Sequence, residues 1–223
     1  KKAGKGVFRC FAPAMMAATT KRLSLEQRLR EATRCGQFVL HYQAQVQARG
    51  LRPLGVEALI RWRQADASLI SPLEFIAVAE ELGLIHSIGE WALRTACADM
   101  ASWHRQGLSG LSVAVNLSAV QLSDPALPQR IAAALADSGL DPRALTLEIT
   151  ESAAMADPEA SIKALGAIRA LGVGLAIDDF GTGYSSLSYL HRFPIDILKI
   201  DRSFVSRLTN SDNGPELARA VIM

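Results

Sequence analysis

The 223-residue chain has little cysteine, little aromatic content and almost no net charge. Its three cysteines, Cys10, Cys35 and Cys97, are odd in number and far apart, with no C-x-x-C pair. That excludes a disulfide framework or a cysteine-based zinc site and fits a reducing, cytoplasmic setting. A net charge of +2 excludes the electrostatic footprint of a nucleic-acid or anionic-membrane binder. No run of 18 apolar residues is present, so no membrane-spanning helix is expected. Lys1-Lys2 followed by Val7–Ala18 mimics an export signal, but Arg9 and Pro13 break the apolar stretch. The opening on Lys1 is expected of a piece of a longer chain. Neither G-x-G-x-x-G nor G-x-x-x-x-G-K-[ST] occurs, which argues against an open doubly wound sheet with a phosphate loop.

What is present is an ordinary core-forming composition, 49% hydrophobic, too apolar for disorder. Gly4, Gly6 and Pro13 surround Val7-Phe8-Arg9-Cys10-Phe11, which reads as one strand and a turn. Ser24-Leu-Glu-Gln27 reads as a capping box opening a linker helix that ends near Gly36. From Phe38 the pattern alternates. Strands are expected near 38–46, 54–61, 111–116, 145–149, 173–178 and 195–200. Helices are expected near 72–81, 88–106, 127–138, 158–170 and 185–190, with another starting near 215. Strand–helix repeats predict a parallel sheet covered by helices, best served by a (β/α) barrel. A full barrel takes about 250 residues, so six strands here leave it two short.

Polar residues gather at the carboxyl ends of these strands, where barrel enzymes build their sites. Glu57, Leu59 and Arg61 share one face of their strand, and Ser112, Ala114 and Asn116 share one face of theirs. Glu148 lies in the next strand, with Glu151 just beyond. Asp178-Asp179 ends the following strand and leads into Phe180-Gly-Thr-Gly183, and Lys199 and Asp201 close the series. Any one such acid could be a helix cap or a solvated group. Two adjacent acids ending an apolar strand exceed what one cap requires. Lys199 is either a snorkelling lysine or, as we favour, the counter-charge to the acids. Four carboxylates in one barrel mouth require a cation among them. An all-oxygen set of Glu57, Asn116, Glu148, Asp178 and Asp179 suits Mg²⁺ or Mn²⁺. Two ions about 3.5–4 Å apart, sharing Asp178, would use that many ligands, as in two-metal phosphoester enzymes. The four histidines show no ligand spacing, and Trp62, Trp91 and Trp103 read as core anchors. Asp179-Phe-Gly181 has no accompanying kinase motifs.

Glu57-Ala-Leu59, Asn116-Leu-Ser, Glu148-Ile-Thr-Glu151, Asp178-Asp-Phe-Gly-Thr-Gly-Tyr-Ser-Ser-Leu187 and Lys199-Ile-Asp201 together resemble the EAL domain family, in order and spacing, over about residues 23–223. The resemblance implies a modified (β/α)₈ TIM-type barrel with an antiparallel first strand. It also implies a Mg²⁺- or Mn²⁺-dependent phosphodiesterase that opens cyclic di-GMP to linear pGpG. The alternative is a cyclic di-GMP receptor that binds without turnover; relatives of that kind usually carry substitutions in the Glu-Ala-Leu or Asp-Asp motifs, and none is present here. Residue by residue, Glu57, Asn116, Glu148, Asp178 and Asp179 match metal-binding positions. Lys199 matches the lysine that positions or deprotonates the attacking water. Glu151 matches the anchor of the loop Asp178–Ser186, a loop tied to homodimerisation in the family. Gln43, Leu59 and Arg61 match positions lining the dinucleotide and its phosphates. The family's Tyr-Gln-Pro reads Tyr42-Gln43-Ala44 here, and its later Glu-Gly-Val-Glu and Gln-Gly segments do not occur within these residues. They belong to the last two strands, and the first supplies a catalytic glutamate, so an incomplete barrel is expected. Gly4–Pro13 resembles the closing strand of a GGDEF domain. That divides the chain into a GGDEF remnant (1–22), a linker helix (23–37) and an EAL domain (38–223).

Overall fold

The computed structural model describes residues 13–181 and 187–203. Helix α1 runs without a break over Pro13–Cys35. Proline is tolerated in a helix's first turn, where its missing N–H has no partner to lose. Nothing between Ala14 and Leu23 is a glycine or a second proline that would stop the helix. The capping box predicted at Ser24–Gln27 therefore does not form, because Ser24 already lies inside the helix. The turn predicted around Pro13 is likewise helical, and the predicted strand at Val7–Phe11 lies outside the described residues. The helix stops where expected: Gly36 takes φ +64° and Gln37 N–H donates to the Ala32 carbonyl.

Strands β1 (Phe38–Val46) and β2 (Pro53–Arg63) are antiparallel, with Gln43 opposite Glu57. β2 also pairs with the two-residue β3 (Leu69–Ile70). Helices α2 (Pro72–Glu81) and α3 (Ile85–Arg105) lead to β4 (Ser112–Leu117). The short α4 (Ala119–Leu122) and then α5 (Leu127–Ser138) precede β5 (Leu145–Thr150). α6 (Glu151–Met155) and α7 (Pro158–Arg169) precede β6 (Gly174–Phe180), and α8 (Leu187–Leu190) precedes β7 (Ile197–Ile200). Sheet order is β1-β2-β4-β5-β6-β7, with every pair after the first parallel. An antiparallel first strand followed by parallel strands and covering helices is the architecture of a modified (β/α)₈ barrel. Its expected strands and longer helices appear within a few residues of where the sequence puts them. The helix expected near 215 lies outside the described residues.

Strand alternation sorts the side chains. Val113, Val115, Leu147, Ile149, Leu175 and Ile177 point outward and are buried against Leu93, Met100, Ile131, Leu165 and Ile168 of α3, α5 and α7. The opposite face looks into the barrel. A second cluster seals α1 to the first hairpin: Leu29, Ala32, Phe38, Trp62, Phe75 and Ile88. Arg28 stacks over Trp62, whose indole N–H donates to Gln37. Trp62 is a core anchor, as expected, whereas Trp91 and Trp103 are only half-buried.

Candidate metal centre

Parallel strands deliver their carboxyl ends to one side of the barrel, so residues distant in sequence meet there. β4 and β5 are in register with Asn116 beside Glu148, and β5 and β6 with Glu148 beside Ala176. Glu57 lies beside Ala114 across β2 and β4. The small Ala114 and Ala176 leave space for the longer acids beside them. Carboxylate oxygens of Glu57, Glu148 and Asp178 thereby come within 4.8 Å of one another. At that distance two carboxylates repel by about 3 kcal/mol in a medium of effective dielectric about 20.

The Lys199 ammonium stands among the three. Its Nζ donates to Glu148 Oε2 at 2.5 Å, Glu57 Oε2 at 3.1 Å and Asp178 Oδ2 at 3.1 Å. Lys199 is thus the counter-charge to the acids rather than a snorkelling lysine. Burial alone would lower its pKa, but the hydrogen bond to Glu148 and the surrounding carboxylates outweigh this and hold it above the ordinary lysine value. Glu148, with a side chain only 2% exposed, is pushed upward by burial first, and Lys199 offsets that in part. The Asn116 amide donates to Glu57 Oε1 at 2.8 Å, which leaves the Asn116 carbonyl oxygen as a donor atom for a cation.

Asp178 and Asp179 sit in a β-bulge. Ile177 pairs with Leu198 and Phe180 with Ile200, so β6 carries an extra residue, and Asp179 takes φ +54°. The bulge brings the Asp179 carboxyl under the influence of Asp178, Asp201, Lys199 and Glu57. Burial and then Asp178 raise its pKa. Just past the bulge, the buried Glu151 accepts the Gly181 N–H at 2.8 Å and so fixes the start of the following loop. The rest of that loop, 182–186, lies outside the described residues.

The remaining expected site residues lie around this centre. Gln43 is exposed on β1, directly across from Glu57. Arg61 is half-buried on the Glu57 face of β2 and donates to the Ile60 carbonyl. Leu59 lines a largely apolar cleft of about 510 Å³ that it shares with Asn116, bounded by Pro72, Ile76, Ile88 and Ala153. Two polar residues of this cleft, Glu80 and Gln121, have no counterpart in the sequence reading. A signal for the second exists: Ser118-x-x-Gln121 has the capping-box pattern, and the structure forms that box at the start of α4.

Hard oxygen donors converging on one point fit a divalent ion such as Mg²⁺ or Mn²⁺. Residues 26–223 match the EAL domain family. The bifunctional diguanylate cyclase/cyclic di-GMP phosphodiesterase MucR of Pseudomonas aeruginosa is 43% identical over 222 residues, spanning 100% of this chain and 32% of MucR. The cyclic di-GMP phosphodiesterase NbdA of the same organism is 41% identical over 222 residues, spanning 100% of this chain and 28% of NbdA. The chain thus spans less than a third of either relative. A solved structure, the PaMucR phosphodiesterase in complex with c-di-GMP, superposes with a TM-score of 0.84 at 45% identity. It covers 89% of this chain, and the match covers 81% of that one.

Proposed function

Because this chain belongs to the EAL domain family, we propose that it forms the catalytic domain of a phosphodiesterase hydrolysing cyclic di-GMP to linear pGpG. The observation that carries this reading is the convergence of Glu57, Glu148 and Asp178 on one point, which neither helix capping nor solvation requires. The names of MucR and NbdA, and the ligand in the PaMucR structure, support it.

Glu57, Asn116, Glu148, Asp178 and Asp179 would hold two divalent ions, Mg²⁺ or Mn²⁺. Such ions, when bound, lower the pKa of water and offset charge on phosphoryl oxygens. Lys199, kept protonated, donates hydrogen bonds that orient the attacking water and the phosphate oxygens. Arg61, on Glu57's own strand, and Gln43, on β1 beside it, would face the phosphates, and Leu59 would turn a base into the adjoining cleft. That cleft falls in the usual 300–1,000 Å³ range for small-molecule sites. Glu151 holds the backbone of Gly181, so the loop after Asp179 starts from a fixed point, and a homodimer would form through that region. We further propose that residues 1–22 end a GGDEF domain and 23–37 link it to the domain from 38 onward, as the bifunctional name of MucR supports.

The test is chromatography of cyclic di-GMP after incubation with Mg²⁺ and a chain that carries these residues together with the last two strands of the barrel. Linear pGpG is expected, and Asp178→Asn is expected to lower turnover at least 100-fold. Intact dinucleotide, with a raised melting temperature showing that it binds, would replace this reading with that of a receptor. Full activity in Asp178→Asn would remove the metal centre from the mechanism.

A further inference from the structure

The three carboxylates of the centre are brought together around a lysine. Glu57, Glu148 and Asp178 come from β2, β5 and β6, and the Lys199 ammonium of β7 donates to all three at 2.5–3.1 Å. The lysine side chain is 25% exposed, and the acids are 17%, 2% and 20% exposed. The ammonium therefore occupies the place among the carboxylate oxygens that a bound cation would need, and its outer side remains open to solvent. A lysine on a flexible four-carbon stem can leave such a position without moving its strand.

We propose that Lys199 is a built-in stand-in for the cation, which holds the ligand set assembled when no ion is bound and is displaced from at least one carboxylate when an ion enters. Ion binding is then an exchange of one positive charge for another. The ligands stay spaced for coordination, and ion affinity is lowered by the competition. The displaced ammonium remains tethered at the rim, where it can donate to a phosphate or a water. The inference rests on the metal reading above and adds to it a role for Lys199 in the ion-free protein.

The experiment compares the chain with Lys199→Met, both stripped by chelator, by thermal melting and by titration calorimetry with Mn²⁺ alone. In Lys199→Met, Mn²⁺ is expected to bind at least tenfold more tightly. Its melting temperature should fall without ion and recover with ion, so that the ion-induced rise is larger than in the unsubstituted chain. Equal affinities and equal rises, or weaker binding in the variant, would overturn the stand-in while leaving the metal site in place. Absence of Mn²⁺ binding in both chains would overturn the metal reading itself.

Should Lys199→Met fail to fold, the unsubstituted chain gives an independent answer. It has only six lysines (Lys1, Lys2, Lys5, Lys21, Lys163 and Lys199), so ¹⁵N-lysine labelling makes the side-chain ammonium signals assignable. A signal protected by three carboxylates is expected without ion, and it should shift or vanish in proportion to Mg²⁺ occupancy. A signal unchanged at saturating Mg²⁺ would overturn the proposal.

Discussion

Consecutive strand residues point to opposite faces, so a regular β6 would send either Asp178 or Asp179 away from the barrel interior. The bulge interrupts that alternation by giving β6 an extra residue against β7 and placing Asp179 at φ +54°. Left-handed backbone costs a non-glycine residue about 1–2 kcal/mol, and aspartate and asparagine tolerate it best. Adjacent acids were legible in the sequence as an excess over one cap. The bulge between them was not, because no glycine marks it, and only Asp178 of the pair joins Glu57 and Glu148 within 4.8 Å. Substitutions separate backbone from charge. Asp179→Asn keeps the conformation and relieves repulsion from Asp178, so the chelator-treated chain should be at least as stable in urea, while ion affinity falls about tenfold. Asp179→Ala should instead lose about 1 kcal/mol of stability along with the ion affinity, because alanine lacks the tolerance for that φ. Equal stability losses in both variants would remove backbone strain from the account.

At the scale of elements, long segments with strong patterning were legible to within a few residues: β1, α2, α5 and α7 lie where periodicity puts them. The failures have local causes. The sequence pattern divides α1, because Ser24-x-x-Gln27 has the form of a helix start. A capping residue itself takes extended backbone, and Ser24 lies inside the uninterrupted helix from Pro13. β3, α4 and α6 span two to five residues, too short for a periodic signal to rise above its flanks. Strand register was also illegible, although the pairing of β2 with β4 depends on one residue. Gly55 lies beside Ser112, and a Cβ there would stand 2.4 Å from the Ser112 backbone carbonyl oxygen. A backbone atom in a parallel ladder cannot step aside as a side chain can. Gly55→Ala should therefore part the two strands and cost about 2–3 kcal/mol in urea unfolding. Glu57 and Asn116, further along the same two strands, should be displaced with them and ion affinity should drop. A loss below about 0.5 kcal/mol would mean that the two strands yield easily there.

The whole molecule is almost neutral, yet its fold concentrates negative charge at one end of the barrel. That uneven distribution predicts a pH dependence whose sign follows from the raised carboxyl groups. Burial lifts Glu148 above its ordinary 4.5, and burial with Asp178 lifts Asp179 above 3.8. A carboxyl whose folded pKa exceeds its unfolded value binds its proton more tightly when folded. Its stabilising contribution is present below the unfolded value and drains away as pH rises through the folded one. Asp66, Asp141 and Asp201 are shifted downward by hydrogen bonds, so their opposing contribution changes at lower pH. Comparison with Glu148→Gln cancels the groups remote from residue 148, such as these three exposed or half-exposed aspartates. Without ion, the unsubstituted chain should lose stability relative to Glu148→Gln as pH rises from about 4.5 to 7. A bound divalent cation favours the ionised carboxylate and reverses the trend, because protons compete with the ion for the same oxygens. At an ion concentration one hundredfold above Kd the gain should approach about 2.7 kcal/mol near neutral pH, and it should shrink toward pH 4.5. Urea unfolding at both pH values, with chelator and with Mg²⁺, measures all four corners. A difference between the two chains that stays flat with pH in chelator would show that burial does not raise Glu148 in the folded chain over the contribution of Lys199.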